Sequence, residues 1–243
     1  KLILNFKSKD SKKIKNPKKF LGGKGANLSE MGKMGLPVPP GFTISTKVCE
    51  IFYKDKKRLS QNLINQIKRE LQIIEKEVGK KFGDLKNPLL LSVRSGARVS
   101  MPGMMDTILN LGLNDKTVNA LALKTSNGRF AKDSYRRFIQ MYGNVVMGVE
   151  GYHFEELIEN YKLTKGVLLD TDLDESDWDG LSKDFKRTVK DKAKKDFPQN
   201  VYEQLLGAIS AVFLSWESNR AKVYRKLNQI PSEWGTAVNV QSM

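Results

Sequence analysis

A lysine set among glycines is the first feature whose residue types could do chemistry: Gly22-Gly23-Lys24-Gly25. Glycines let the backbone approach a ligand closely, and a helix that begins here would direct unpaired N–H groups and a positive dipole end at an anion. Lys24 adds a mobile positive charge suited to phosphate. A tight turn that merely caps a helix accounts for the same residues equally well, so both interpretations stay open.

The segment is not a Walker A loop. That motif has Ser or Thr after its lysine and a glycine five positions before its second glycine. Here Gly25 follows Lys24, and Lys18 occupies the position of the first glycine.

Two arginines four residues apart form the second candidate site. Arg94 and Arg98 follow the apolar run 89–93 and enter a loop rich in Ser, Gly and Met that ends at residue 107. The end of a buried strand is the usual place for a ligand in an open α/β sheet, and the guanidinium fork suits phosphate oxygens. Pairing with structural carboxylates is the alternative, and the loop's composition favours a ligand.

Alternating strands and helices must position these residues. The patterns predict strands over 2–6, 41–45, 89–93 and 236–240, and helices over 23–34, 46–54, 59–78 and 201–216. From residue 114 the pattern is helical, with segments over 118–123, 135–146, 154–161 and 181–193. The fold class is therefore α/β (α+β), with a mixed α/β lobe over 1–112, a helical insert over 113–197 and a return helix and strand over 198–243.

Composition excludes several classes of protein. The single cysteine, Cys49, excludes an intrachain disulfide, and the single histidine, His153, excludes metal sites built from several His or Cys ligands. We interpret Cys49 as a core residue and His153 as structural. No apolar run reaches the ~18 residues of a membrane span, so we expect a soluble, cytoplasmic protein. The chain does not begin with Met and stops soon after a predicted strand, so we also expect a piece of something longer.

The net charge of +15 points to a polyanionic partner. Residues 1–24 hold nine lysines and one acid. A nucleic-acid site would interleave aromatic residues with these lysines, whereas here Phe6 and Phe20 only flank them. A solvated loop is favoured over a nucleic-acid-binding module, which would depend on Lys12, Lys13, Lys18 and Lys19.

The acidic cluster over 170–179 is interpreted as a helix cap. An EF-hand loop starting at Asp170 would need glycine at Glu175 and a carboxylate at Leu181, and it has neither. We expect Asp174 or Ser176 to cap a helix, with Asp179 completing the capping box.

Four segments together carry a resemblance to a known family. Residues 22–28, 35–42, 92–107 and 230–241 resemble the N-terminal nucleotide-binding domain of the pyruvate, phosphate dikinase family, almost end to end. Phosphoenolpyruvate synthases share the Gly-Lys-Gly and Val-Arg-Ser elements but differ in the loop over 100–107, and are the distant alternative.

The resemblance implies a fold and a reaction. The fold is of the ATP-grasp type. The family converts ATP, phosphate and pyruvate into AMP, pyrophosphate and phosphoenolpyruvate through a phosphohistidine on a carrier domain. Lys24 matches the family lysine at the ATP phosphates, Arg94 the strand-end arginine and Arg98 the second arginine of that loop. The loop over the triphosphate would contribute the remaining nucleotide-binding residues: Gly103, Met104, Asp106 and Thr107.

Other parts of the family pattern are absent. His153 does not match the carrier histidine, no catalytic cysteine is present, and no carboxylate pair is recognisable as Mg²⁺ ligands. The resemblance therefore implies no catalytic and no metal-binding residue here, with Mg²⁺ a cofactor of the full enzyme and ATP and phosphate its substrates. Partners would be the carrier and pyruvate-binding domains of the same chain, within a homodimer. Docking of a regulatory protein on residues 114–196 stays open; a membrane partner is not expected.

Overall fold

The computed structural model describes the backbone of residues 1–243 and the side chains of residues 1–10 and 13–243. Lys12, named above as a nucleic-acid contact, lies outside the described side chains. The strands are β1 (Ile3–Asn5), β2 (Gly41–Ile44), β3 (Lys81–Phe82), β4 (Pro88–Leu89), β5 (Leu91–Ala97), β6 (Thr107–Leu111) and β7 (Thr236–Ser242). The helices are α1 (Pro17–Lys33), α2 (Thr46–Lys54), α3 (Gln61–Val78), α4 (Thr117–Thr125), α5 (Gly128–Val145), α6 (Tyr152–Lys165), α7 (Glu175–Ala193), α8 (Val201–Ser215) and α9 (Asn219–Leu227).

The chain divides into two compact units. Unit 1 contains residues 1–79, 91–107 and 206–243, and unit 2 contains residues 80–90 and 108–205. Boundaries between the two units lie after residues 107 and 205, whereas the boundaries predicted from the sequence lie after residues 112 and 197. Residues 80–90 also belong to unit 2. The local reason is the parallel pair of β3 and β4, which matches Phe82 with Leu89 and places the Phe82 ring against the Tyr202 ring of the same unit.

Unit 1 is built on antiparallel strands in the order β1-β2-β7-β5. The last strand of the chain, β7, lies between β2 and β5. One cross-strand row contains Phe42, Val240 and Val93, all fully buried, as expected for apolar residues on one face of a sheet. The row beside it is polar and belongs to the candidate site.

Helix α1 is longer than predicted and is divided by Gly22. Asn16 caps its first turn by accepting a hydrogen bond from the Lys19 N–H at 3.0 Å. Gly22 then takes φ 69° and ψ 175°, so residues 17–21 and 23–33 form two arms. A Cβ at Gly22 would lie 1.6 Å from the carbonyl oxygen of Gly96 on β5. The close backbone approach therefore requires glycine.

The other elements of unit 1 follow the predicted pattern closely. α3 buries Leu63, Ile67 and Ile74 on one face, as its periodicity predicts. α2 begins at Thr46, with Ser45 in the N-cap position, and the Thr46 hydroxyl donates to the Lys19 carbonyl at 2.8 Å. Cys49 is buried, as predicted. Burial raises the pKa of its thiol to about 11, which keeps it protonated and unreactive.

Unit 2 is mostly helical, with α5 packed against α4 and α7 and with α6 packed against α7. Phe197 lies edge-on to three rings of α5, those of Tyr135, Phe138 and Tyr142. Asp174 caps α7, as predicted. Asp177 and not Asp179 completes the capping box, because the carboxylate that accepts from the N-cap backbone N–H belongs to the third residue after the cap.

No helix within the described part of the chain is long and apolar enough to cross a membrane. His153 is half-buried and stacks on Tyr152, with ring centroids 4.0 Å apart.

The contact between Gly22 and Gly96 makes a stability prediction. Gly22→Ala should lower the free energy of unfolding by about 3 kcal/mol or more, because the new Cβ meets a backbone oxygen in a conformation that is nearly exclusive to glycine. Gly35→Ala is the matched control. It also has a positive φ, of 75°, but open space around its Cβ, and should cost about 1 kcal/mol. Urea unfolding followed by circular dichroism measures both, and equal losses would contradict a steric cause.

Candidate functional site

The second arm of α1 begins at Gly23, so Lys24 lies in its first turn. The first N–H groups of a helix have no partner within the helix, and its N-terminus carries a partial positive charge. Gly23 and Lys24 line a cavity of about 400 Å³ in unit 1, which we call the turn–loop cavity. The exposed Lys24 makes no hydrogen bond or ion pair with any described side chain. The sequence therefore places a cation and a helix N-terminus at one opening.

The loop after β5 forms the other wall of the turn–loop cavity. Arg98, Gly103 and Thr107 line it, together with Met101 and Met105. Gly103 has a φ of 72° and nothing within 4 Å of where its Cβ would stand. The loop thus brings three of the predicted nucleotide-binding residues to the same cavity as Lys24.

Arg98 is held over the cavity by stacking. Its guanidinium carbon lies 4.9 Å from the centroid of the Trp234 ring, a cation–π contact. Burial lowers the pKa of Arg98, and the charge of Glu233 opposes that shift. Its buried Nε has no hydrogen-bond partner in residues 1–10 and 13–243. The guanidinium keeps its charge at neutral pH and is not neutralised by an ion pair with a described carboxylate.

Arg94 faces a second, smaller cavity of about 230 Å³, which we call the strand cavity. Lys24 lines this cavity too, so it stands between the two arginines. Arg94 is exposed and pairs across the sheet with Asn239 of β7. The three predicted basic residues therefore converge on two cavities that share one lysine.

A polar row across the sheet supports the strand cavity. Thr43, Asn239 and Arg94 lie opposite one another on β2, β7 and β5. The Thr43 hydroxyl donates to Asn239 Oδ1 at 2.7 Å and fixes the amide. Asn239 Nδ2 is buried and has no partner among the described residues. A buried donor without a partner costs free energy, so the row retains a donor beside Arg94 at the expense of stability.

The loop is tethered by α9. Arg220 Nε donates to the Met104 carbonyl at 3.2 Å, and the guanidinium of Arg220 pairs with the Asp106 carboxylate. Met101 packs in a buried cluster with Trp216 and Ala221. These contacts fix the loop at both ends and leave Gly103 exposed between them.

Two predicted residues lie apart from the others. Met104 and Asp106 line neither cavity, and Asp106 is engaged by Arg220. Their role as nucleotide ligands stays a prediction. Arg220, which the motifs did not indicate, holds the loop, and nothing in its spacing from residue 106 could have shown this.

Sequence reasoning also missed Asn239 and Asn27. Asn239 lines the strand cavity, and Asn27 lines both cavities. A polar residue at a buried position in the apolar strand 236–240 is a signal that could have found Asn239.

Neither the turn–loop cavity nor the strand cavity is lined by an Asp or a Glu. No group of three or more His, Cys, Asp or Glu that could hold a metal ion occurs among the described residues. Asp106, the carboxylate predicted at the site, is already paired with Arg220. We therefore assign no described residue as a ligand of the Mg²⁺ that the resemblance implies.

A larger cavity than either of these lies elsewhere. It measures about 730 Å³, belongs to unit 2 and is lined by Tyr142, Phe197 and Glu203 among others. None of the predicted site residues reaches it. Size alone is therefore a poor guide here, and the converging cations of unit 1 define the candidate site.

Comparisons with known proteins indicate the family of the chain. Residues 18–68 and 55–243 match the model of a family described as "Pyruvate phosphate dikinase, AMP/ATP-binding domain". The pyruvate, phosphate dikinase of Clostridium symbiosum is 55% identical over 225 residues, 92% of this chain and 26% of that protein. The chloroplastic enzyme of Mesembryanthemum crystallinum is 51% identical over 243 residues, 100% of this chain and 26% of that protein. The chain spans about a quarter of the length of these curated relatives.

The tether from α9 makes a prediction about loop motion. Arg220→Ala should raise amide hydrogen exchange in residues 101–107 about tenfold, because the loop loses a charged pair and a backbone hydrogen bond. Lys222→Ala, which removes a charge from the same helix but only the pair with Glu217, should leave that exchange unchanged. Equal exchange in the two variants would show that the apolar cluster alone holds the loop.

Proposed function

The chain belongs to the pyruvate phosphate dikinase AMP/ATP-binding domain family, and from this membership we propose that it binds ATP as the N-terminal nucleotide-binding part of a pyruvate, phosphate dikinase. The observation that carries the proposal is the convergence of Lys24, Arg94 and Arg98 on two cavities with a shared lysine. None of the three makes an ion pair with a described residue. Unpaired cations at one place favour a ligand with several negative charges.

Charge and geometry together suit a triphosphate. Lys24 is a mobile point charge, whereas the arginines present planar forks that bind two phosphate oxygens at once. The N-terminus of the second arm of α1 adds uncharged N–H donors. We propose that Lys24, Arg94 and Arg98 face the β- and γ-phosphates and offset the charge that develops as the phosphoryl group leaves.

The loop over 98–107 is proposed to cover the triphosphate. Gly103 and Thr107 line the turn–loop cavity, and the backbone at Gly103 is free of steric obstruction. Met104 and Asp106 would contribute through the backbone and through loop position, since Asp106 is held by Arg220. Within this proposal the fold is of the ATP-grasp type, with unit 1 as its first lobe and residues 113–197 as a helical insert.

The full reaction needs groups that the described residues do not supply. We propose that phosphoryl transfer goes from ATP to a histidine of a carrier domain, and that the overall reaction exchanges ATP, phosphate and pyruvate for AMP, pyrophosphate and phosphoenolpyruvate. His153, which contacts the Tyr152 ring in unit 2, is not proposed as that histidine, because its sequence context does not match that of the family's carrier histidine. The carrier and pyruvate-binding domains, Mg²⁺, a homodimeric full enzyme and a regulatory protein docking on residues 114–196 remain parts of the proposal.

The nucleic-acid alternative finds less support in the contacts. Lys7 pairs with Glu77, and Lys13 lies 3.5 Å from Asp10. Part of the lysine-rich segment is thus neutralised by neighbouring acids.

The proposal predicts a selective loss of phosphate recognition. Lys24→Ala and Arg94→Ala should each weaken ATP binding about tenfold or more, because each removes a charge-assisted contact to phosphate, and should leave adenosine binding within about twofold. Isothermal titration of the 243-residue chain with ATP and with adenosine measures both. In a longer chain with the carrier domain, the same changes should slow phosphorylation of the histidine.

Lys76→Ala is the matched control. Lys76 is exposed on α3 of the same unit and lines neither cavity, so its loss changes net charge equally without touching the site. If Lys76→Ala weakened ATP binding as much as Lys24→Ala, the assignment of the site would be wrong.

A further inference from the structure

The tryptophan just before the last strand, Trp234, faces an arginine of the proposed nucleotide site without reaching the site itself. Arg98 lines the turn–loop cavity, and its guanidinium carbon lies 4.9 Å from the centroid of the Trp234 ring. Trp234 lines neither the turn–loop cavity nor the strand cavity. Any effect of this ring on a ligand in either cavity must therefore pass through Arg98.

The register of two strands brings Arg98 and Trp234 together. Ala97, the last residue of β5, lies opposite Thr236, the first residue of β7. The Gly96 N–H also donates to the Thr236 hydroxyl at 3.3 Å, which fixes this end of the sheet. Arg98 follows β5 directly, and Trp234 stands two residues before β7 begins. Both residues therefore lie at the same end of one strand pair.

The Trp234 ring is itself fixed by its surroundings. It ends a short 3₁₀ helix, Ser232–Trp234, whose first carbonyl accepts a hydrogen bond from Trp216 Nε1 at 2.9 Å. The ring packs against the buried cluster around Trp216, which also holds Met101 of the loop after β5. Gly235 then turns the chain into β7 with a φ of 61°. The ring thus presents a fixed surface to the Arg98 side chain.

Arg98 has no other polar contact that would orient its guanidinium. The side chain is half-buried, makes no hydrogen bond or ion pair with a described residue, and has a buried Nε without a partner in residues 1–10 and 13–243. Glu233 lies close enough for its charge to act on Arg98. A guanidinium that is free to rotate pairs readily with such a carboxylate, whereas an aromatic face holds the planar group by stacking and by cation–π attraction.

We propose that Trp234 is a positioning residue of the nucleotide site, whose ring fixes the Arg98 guanidinium at the turn–loop cavity and thereby strengthens binding of the ATP phosphates. The identity of the ligand rests on the proposed function, whereas the placement of Arg98 by the ring does not. A guanidinium that stacks through its face keeps its N–H donors in its own plane. Its edge therefore stays available for phosphate oxygens while its face is held.

The experiment titrates the 243-residue chain with ATP and with adenosine by calorimetry, in the variants Trp234→Leu and Trp234→Phe. Leucine keeps an apolar side chain but removes the aromatic face. We therefore expect Trp234→Leu to weaken ATP binding about fivefold and to change adenosine binding less than about twofold. Phenylalanine keeps an aromatic face, so Trp234→Phe should bind ATP within about twofold of the unaltered chain.

A double-mutant cycle separates positioning of Arg98 from general damage to the fold. Arg98→Ala should weaken ATP binding about tenfold or more. Trp234→Leu added to Arg98→Ala should then cause no further loss, because the ring has no guanidinium left to hold. Ile230→Ala is the matched control. Ile230 packs against the same buried cluster as Trp234, so its truncation should lower the melting temperature and leave ATP affinity within about twofold.

Nuclear magnetic resonance of the chain without nucleotide measures the stack directly. The Arg98 Nε–H group lies close to the Trp234 ring, whose ring current shifts the resonance of nearby protons. The Arg98 Nε–H signal should therefore move in Trp234→Leu and stay in place in Ile230→Ala. This readout needs no ligand, so it tests the placement of Arg98 independently of the proposed function.

Three outcomes would overturn the proposal. An unchanged Arg98 Nε–H signal in Trp234→Leu would show that the ring does not place the guanidinium. Equal losses of ATP affinity from Trp234→Leu with and without Arg98 would mean that the ring acts by another route. Full ATP affinity in Trp234→Leu, with a loss in Arg98→Ala, would refute the positioning role and leave the proposed function standing. Conversely, failure of the unaltered chain to bind ATP, with the Arg98 signal moved in Trp234→Leu, would refute the proposed function and support the placement of Arg98 by the ring.

Discussion

The close approach of two glycine backbones, Gly22 of α1 and Gly96 of β5, is the constraint on which the geometry of unit 1 depends. Any side chain at Gly22 would collide with the carbonyl of Gly96. The contact forces the break in α1, and the break sets where the second arm begins and where Lys24 stands. Gly25 allows a second close approach, because a Cβ there would lie 2.7 Å from the Thr43 hydroxyl in the polar row.

Ion pairing is distributed unevenly around this framework. Lysines away from the cavities find carboxylates: Lys1 pairs with Glu70, and Lys54 with Glu50. In unit 2, Lys165 pairs with the capping residues of α7. The basic residues that line the turn–loop and strand cavities of unit 1 make no ion pair with a described side chain. Ion pairs at a surface contribute little to the free energy of unfolding. The difference between paired lysines elsewhere and unpaired cations at the cavities therefore matters more for attracting a ligand than for folding.

Local patterns predicted most elements because they depend on neighbours along the chain. The apolar face of α3 and the end of α1 before Gly35 follow from periodicity and from the positive φ that glycine permits. The predicted start of α1 was six residues late, since the break at Gly22 depends on β5, some seventy residues away. The strand β6 and the helix α9 were not predicted. In the site, residue chemistry identified Lys24, Arg94 and Arg98 as phosphate-binding candidates. The roles of Asn239 and Arg220 depend on contacts across 100 residues or more, which a local sequence pattern hardly indicates.

The central place of β7 has a consequence for the order in which the molecule folds. During synthesis β1, β2 and β5 leave the ribosome well before β7. Strands β2 and β5 do not pair with each other, so both lack a partner on their facing edges until β7 is inserted between them. Loop closure over such sequence distances is slow, and unpaired strand edges are exposed to aggregation meanwhile. Asn239 travels with β7, so the polar row is completed last. Ligand binding at the strand cavity therefore requires that β7 is already in place. The helical unit 2 can form from local contacts before β7 has been synthesised.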